Sequence, residues 1–363
     1  MKTFYSAYTC KGNVGDLLIN KYQIEEYAKY SDVYVDCTGM PDEFRSVILD
    51  ERNPHVKDFV TTYGMSYRGK NMLKVLSLLK REGFTHFTKS PGPYAVLSFP
   101  LKQLLVRLIG AFGYSVASRY GMKVFAMGID LDYNNLPTWL QRWNINYFNK
   151  YDLLGVRSVD NKIRLEQTVK PVMYCPDMAF LCNDLQEPIA ENRKRIAISF
   201  RKVDKQNELL AHLHWICNNL TPKGYTIDII YQVEEDAKFC ELLYKELMQY
   251  TPRYRANIIS FHELNEYEQY DYVFSNRLHV LLMGAMHGAI PYAIISNSRK
   301  EAKIKFIFDS IFNEDLYMFI DDGQYKLEKF LTCNNLCLKN TLYKCLKEQQ
   351  DMSKSTIHHL FNK

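Results

Sequence analysis

Between Asp271 and Ser296 the chain reads DYVFSNRLHVLLMGAMHGAIPYAIIS, and this run narrows the fold more than any other. Asp271–Ser275 has the composition of a short strand. An almost wholly apolar helix pattern follows the polar pair Asn276-Arg277, Gly288 closes it, and Pro291–Ile295 is a second strand. Strand, helix and strand joined by minimal loops, all three apolar, belong to a parallel sheet buried under helices. The polar residues are confined almost entirely to one turn. Ser275, Asn276, Arg277 and His279 crowd the passage from strand to helix, and His287 is the other polar side chain before Gly288. Open parallel sheets take ligands at the carboxyl ends of their strands, and a helix N-terminus favours anions. Singly, each residue has a plainer explanation as a helix cap, a surface charge or a core histidine. Together at one strand end they point to a site for an anionic or hydroxyl-bearing ligand. His287, two helical turns beyond His279 and deep in the apolar pattern, reads as structural.

The same rhythm runs through the rest of the chain. Thr3–Thr9 is a strand leading into CKGNVGD (Cys10–Asp16), and a helix starts at Gly15 or Asp16. This loop could cradle a ligand, although it is neither a Walker A nor a full G-x-G-x-x-G motif. Its plainer reading is a tight turn with Asp16 in the first helical turn. Strands follow at Val33–Cys37, Phe84–Thr88, Lys123–Met127 and Tyr151–Val156, with helices at Asn71–Arg81 and Thr138–Asn149, and Val172–Tyr174 leads to Pro176-Asp177. The polar stretch NDLQEPIAENRKR (Asn183–Arg195) reads as a domain boundary. Beyond it the alternation resumes with strands at Ile196–Phe200, Thr226–Tyr231, Asn257–Ser260 and Leu316–Ile320. The helices there are Asn207–Asn219, Glu234–Tyr250, Arg299–Phe312 and Gln324–Thr332, with a lysine-rich helical run over Asn340–Leu360. A chain of 363 residues exceeds one ordinary core. The expectation is an N-terminal α/β domain over 1–185, a C-terminal one over 193–335, and a helical tail, 336–363, packing back on them. The fold class is α/β, two Rossmann-like domains facing a cleft, which is the GT-B-like plan.

Composition excludes some functions. A net charge of +5 suits anionic substrates or a membrane surface but lacks the dense basic stripe of a nucleic-acid binder. The nine cysteines form no C-x-x-C pair; Cys333 and Cys337, with Cys345 beyond, lack a fourth ligand, so no metal is expected and the thiols should be reduced. The start of the chain has no apolar leader pattern, which points to the cytoplasm. Tyr94–Ser118 is apolar enough to need a membrane check, but Lys102 and Arg107 interrupt it and Pro100, Gly110 and Gly113 break it. A core helix is the favoured reading. The lesser one is a peripheral contact with an anionic bilayer at the inner face of the membrane, anchored by Lys102 and Arg107.

The strand ends carry the chemistry. They offer Asp16, Arg157 with Ser158, and Asp177 in the first half; Arg201 with Lys202, Arg277 with His279, and Arg299 or Lys300 in the second. Several cations with one histidine and two carboxylates suit a polyanionic donor and a proton transfer. A solvated charged rim is the plainer alternative, strongest for Lys202 and Arg299.

Several of these segments resemble, in order, the motifs of the polysaccharide pyruvyl transferase family. They are G-N-V-G-D (Gly12–Asp16), G-V-R-S (Gly155–Ser158) followed by Asp160-Asn161, Pro176-Asp177 with Ala179-Phe180, and Ile198-Ser199-Phe200-Arg201. The most specific is Ser275-Asn276-Arg277-Leu278-His279 running to Gly288 and Pro291. The chain departs from the family at Ser90-Pro91-Gly92-Pro93, where a glycine run is usual, and at Asn297, where a tyrosine is frequent. The resemblance implies transfer of an enolpyruvyl unit from phosphoenolpyruvate to a hexose of a cell-surface polysaccharide or its lipid-linked precursor, giving a pyruvate ketal. Phosphoenolpyruvate is then a co-substrate, and no cofactor or metal is implied. Arg201, Arg277 and Lys300 would bind the donor, with Ser275, Asn13 and Arg157 completing the substrate-binding set. His279 would be a phosphate ligand or proton donor, and Asp16 and Asp177 bases or sugar-hydroxyl acceptors. Two alternatives stand beside this: a nucleotide-sugar glycosyltransferase on the same scaffold, and a catalytically silent glycan-binding member.

Overall fold

The computed structural model describes residues 1–8, 12–68, 71–93, 101–130, 137–169, 171–188, 193–254, 261–312, 314–333 and 335–362. Its strands form two sheets in which every recorded pairing is parallel. The first contains β1 (Lys2–Ser6), β2 (Asp32–Asp36), β3 (Val56–Asp58), β4 (His86–Lys89), β5 (Gly92–Pro93), β6 (Lys123–Asp130), β7 (Leu153–Val156) and β8 (Val172–Tyr174). Its order is β3-β2-β1-β4-β6-β7-β8, with β5 beside β6. The second contains β9 (Arg195–Ser199), β10 (Thr226–Ile229), β11 (Arg253–Tyr254), β12 (Tyr272–Ser275), β13 (Ile290–Ile295) and β14 (Tyr317–Phe319) in the order β11-β10-β9-β12-β13-β14. In both sheets the winding starts at an inner strand, runs to one edge, then returns and runs to the other. In the second sheet the direction changes between β9 and β12, and the crevice at such a switch point is where open α/β sheets bind ligands. Every residue of β12 and β13 is buried, which is why these strands are apolar without alternation.

The chain divides into two compact units, one comprising Met1–Lys11, Asp16–Leu181 and Met352–Lys363, the other Gly12–Gly15 and Cys182–Asp351. The first has an aromatic core in which Phe4 meets Phe59 edge-on at 4.8 Å and Phe87 at 5.1 Å. The last helix, Asn335–Asn362, contributes to each unit. In the second, Lys339 Nζ meets the buried Asp271 carboxylate at 2.8 Å. In the first, Phe361 packs 4.8 Å from the His86 ring and 5.4 Å from Tyr27, and Lys123 Nζ donates to the Leu360 carbonyl.

Several elements differ from the sequence reading. The expected helix over Glu234–Tyr250 is shorter, Ala237–Glu246, with 3₁₀ turns at Glu234–Asp236 and Met248–Tyr250. The short helices Asp42–Ile48 and Phe59–Tyr63 and strand β3 lack any long periodic signal; Asp58 creates the second helix by accepting the Val60 and Thr61 N–H groups. The strand expected at Asn257–Ser260 lies outside the described residues. Leu101–Arg119 is one helix that continues through Gly110 and Gly113. Gly113 is required there, because a Cβ would stand 2.5 Å from the Tyr67 hydroxyl. The core helix expected is found in part: Tyr114 and Ala117 are buried in the first unit's core, whereas Leu105, Val106, Leu108, Ile109 and Phe112 face outward. Among the described residues no helix is long and apolar enough to cross a membrane.

Candidate anion site at the switch point of the second sheet

Ser199 and Ser275, the last residues of β9 and β12, are partners in register. Ser275 Oγ donates to the Ser199 carbonyl and accepts the Arg277 N–H at 2.9 Å, so the two strand ends are tied and the turn after β12 is set. Asn276 makes the second tie. Its Oδ1 accepts the Arg201 N–H at 2.8 Å, and its Nδ2 donates to the Arg201 carbonyl at 3.2 Å and to Glu301 Oε1 at 2.9 Å. Glu301 in turn accepts the Ser296 N–H at 2.6 Å and hydroxyl at 2.8 Å, so the end of β13 joins the same network.

Two guanidinium groups are held on this frame. Arg277 grips Asp236 with both Nε and Nη2, at 2.7 and 2.5 Å. Arg201 Nε stands 3.6 Å from Glu301, and its Nη2 donates to the Asn276 carbonyl at 3.3 Å. Burial, and then the neighbouring charge of Arg277, pull Arg201 below the usual arginine value, while Glu301 and Asp236 offset part of that pull. The carboxylates orient the forks and limit their repulsion. Arg277 also occupies the N-cap position of the helix Leu278–Met286, where no side chain caps the helix. The positive end of the helix dipole therefore begins at the same place, the arrangement that favours a phosphate or carboxylate.

His279 lies in the first turn of this helix, and Gly15, one of the four early residues of the second unit, packs against it. A Cβ on Gly15 would fall 2.3 Å from His279 Nδ1, so only glycine lets the backbone approach the imidazole this closely. The loop has its own supports. Gly12 has φ +70°, Asn13 bridges Val233 antiparallel, and Asn13 Oδ1 accepts the Gly15 N–H at 3.1 Å.

These placements redistribute the roles read from the sequence. Arg277, Arg201 and His279 meet at the second sheet's switch region. Ser275 is fully buried and the half-buried Asn13 accepts the Gly15 N–H of its own loop, so both have a positioning task in the fold. Arg157 and Asp177 are paired within the first unit. Arg157 is 2% exposed, with Nη1 on Asp177 Oδ2 at 2.7 Å and Nη2 on Asp130 Oδ2 at 3.1 Å; Asp177 also accepts the Ala179 N–H. Their charges answer one another inside the first unit. Asp16 is half-buried in the first turn of the helix Val14–Ala28, with its carbonyl accepting Asn20 Nδ2 at 2.7 Å. The side chain of Lys300 lies outside the described residues. His287 is fully buried against Tyr267, and burial lowers its pKa.

Asp236 and Glu301 are the residues the sequence reading missed. Ser298-Arg299-Lys300-Glu301 spells the capping-box pattern, which marks Glu301 as a first-turn acceptor. Nothing in Glu234-Glu235-Asp236 distinguishes the third acid from the others. Among the described residues no cluster of His, Cys, Asp and Glu is arranged to hold a metal ion.

The first unit carries a different cationic group at the end of β4. Lys89 Nζ donates to Tyr147 Oη at 3.2 Å and lies 5.5 to 5.8 Å from the ring centres of Tyr114, Tyr147 and Tyr151. Arg107 stands over Tyr147 at 5.7 Å. Burial alone would raise the Tyr147 pKa, but Lys89, Arg107 and bonds with Tyr114 and Tyr151 outweigh it and bring it down to about 7. An ultraviolet difference titration should therefore show one tyrosine ionising near neutral pH, and Tyr147→Phe should remove that step. If the first ionisation in the wild type begins only toward pH ~10, the ordinary tyrosine value, the cations do not reach the phenol.

Two doubly wound parallel α/β units, one with paired arginines at its switch point, define a GT-B-like scaffold. Solved structures share this fold at low identity. UDP-GlcNAc 2-epimerase from Methanocaldococcus jannaschii is 10% identical with a TM-score of 0.62 over 100% of both chains. A glycosyltransferase from Rickettsia africae ESF-5 is 9% identical with a TM-score of 0.59, over 99% of this chain and 97% of the other. The Neisseria meningitidis UDP-GlcNAc 2-epimerase bound to UDP-GlcNAc is 10% identical with a TM-score of 0.56, over 96% and 99%. Among curated proteins, none matches this sequence. The chain belongs to the polysaccharide pyruvyl transferase family, whose pattern it matches over residues 13–298. It is a transferase of polysaccharide modification, with a saccharide as acceptor.

Proposed function

We propose that the protein moves the enolpyruvyl unit of phosphoenolpyruvate onto a hexose of a cell-surface polysaccharide or its lipid-linked precursor and closes it into a pyruvate ketal. The observation that carries this reading is the pair Arg201 and Arg277, oriented by Glu301 and Asp236 beside an uncapped helix start. A donor with both a carboxylate and a phosphate suits two guanidinium forks and a helix dipole. In the proposed reaction one sugar oxygen bonds to carbon 2, carbon 3 gains a proton, and the carbon 2–oxygen bond to phosphate breaks. A second sugar hydroxyl then closes the ketal. Of the two hydroxyl protons, one ends on carbon 3 and the other leaves with inorganic phosphate. His279, in the helix turn beside Arg277, is the proposed donor of the proton to carbon 3 or to the departing phosphate. Lys300 is assigned to the donor anion. Asp16, next in the chain after Gly15, is the proposed base; Asp177, bonded to Arg157, is the second carboxylate assigned to base or sugar-hydroxyl acceptor.

The test is product mass. The purified protein is incubated with phosphoenolpyruvate and a panel of free and lipid-linked saccharides, and phosphate release is followed in parallel. Gain of a pyruvate ketal with phosphate release is the expected result. Gain of a hexose from a nucleotide sugar would replace this reading with a glycosyltransferase. Saccharide binding without any product from either donor would make the protein a silent glycan binder.

A further inference from the structure

A helix that turns its apolar side to water needs a partner. In Leu101–Arg119 the side chains of Leu105, Val106, Leu108, Ile109 and Phe112 are between 47% and 60% exposed. At about 100° per residue they cover an arc of roughly 160°. Tyr114 on the opposite side and Ala117 at the border of the arc are buried in the first unit's core. Two neighbouring helices add to the apolar exposure. Thr138–Phe148, which meets this helix through Tyr147 and Arg107, exposes Trp139 by 53%. Met72–Arg81, whose Met72 sulfur lies 3.0 Å from the position of a Cβ on Gly113, exposes Leu73 by 52%.

The charge around this face has one sign over a long stretch. From Gly83 to Ile129 the sequence contains no Asp or Glu, while Lys89, Lys102, Arg107, Arg119 and Lys123 fall within it. Lys89 and Arg107 are turned to the tyrosines, but Arg119 is exposed at the end of the helix, and Lys74 and Arg142 are exposed on its two neighbours. An outward apolar arc on a helix in an acid-free, cationic segment matches the chemistry of an interfacial helix. A second copy of the chain would bring like charges together around the same arc. An anionic lipid surface neutralises them.

We propose that Leu101–Arg119 lies in the surface of a bilayer carrying anionic headgroups, with Val106, Ile109 and Phe112 immersed among the acyl chains. This proposal is independent of the donor and stands or falls separately from phosphoenolpyruvate transfer. The test is co-sedimentation with vesicles of phosphatidylglycerol and phosphatidylcholine in equal parts, compared with phosphatidylcholine alone. The wild type should sediment with the anionic vesicles, less in high salt and little with the neutral ones. The change Ile109→Asp with Phe112→Asp touches only exposed side chains and should leave thermal unfolding unaltered while weakening vesicle binding roughly tenfold or more. Trp139 emission should shift to the blue on binding, and Trp139→Phe should remove that shift. The proposal is overturned if the wild type stays in solution with anionic vesicles, or if the double variant sediments as the wild type does. It is overturned as well if the double variant turns a dimer into a monomer and the wild type ignores vesicles, since the face would then join two copies.

Discussion

Arg277→Lys is expected to lower kcat/KM for transfer by about a hundredfold or more, roughly 3 kcal/mol of transition-state binding, while unfolding stability changes by about 1 kcal/mol or less. The conservative change is more informative than alanine. Alanine would strip the buried Asp236 of both its guanidinium bonds, and the loss of a buried ion pair would confuse a folding defect with a catalytic one. Lysine keeps a positive charge beside Asp236 but has no fork, so it cannot hold the carboxylate with two nitrogens and still present a planar edge to a donor. Steady-state kinetics with phosphoenolpyruvate, alongside a thermal melt, separates the effects. Lysine at wild-type rates would remove Arg277 from the donor site.

Arg157→Ala should produce the largest loss of stability. Arg157 and Asp177 are 2% and 1% exposed at their side chains, and Asp130 is 10% exposed. Removing the cation takes its charge away from the Asp130 and Asp177 carboxylates in the first unit, a defect of about 3–5 kcal/mol in comparable buried pairs. Denaturant unfolding, monitored in the first unit through Tyr147 or Trp143, would show a lower midpoint. A change under about 1 kcal/mol would mean that water screens the network and that its ion pairs act like surface pairs. The sequence suggests a substrate arginine here because G-V-R-S ends a strand, which is where ligands bind. The folded chain turns that residue inward, and no local pattern announces the distant Asp130.

This contrast marks what can be read before folding. The unit from β12 to β13 is legible because parallel strands buried on both faces are apolar throughout, and its polar residues fall in one turn. The switch point between β9 and β12 is not legible, since strand order depends on pairings across 75 residues or more, such as Asn276 with Arg201. Arg277 and Arg201 are visible as strand-end cations. Their carboxylate partners are harder to find, because an acid that orients an arginine looks like any surface acid until the loops close. Ser275 shows the converse: its place in the motif suggests ligand contact, and its hydroxyl is consumed in joining two strand ends.

The close approach of Gly15 to His279 has a consequence for dissecting the molecule. Residues 12–15 belong to the second unit although more than 160 residues separate them from the rest of it, and residues 352–363 belong to the first. A fragment starting at Cys182 would therefore lack the strip of backbone that covers the imidazole, and its histidine would stand in a setting the whole chain never offers. Activity or ligand affinity measured on such a fragment would describe another object. A circular permutant that keeps both ends of the chain would preserve the setting.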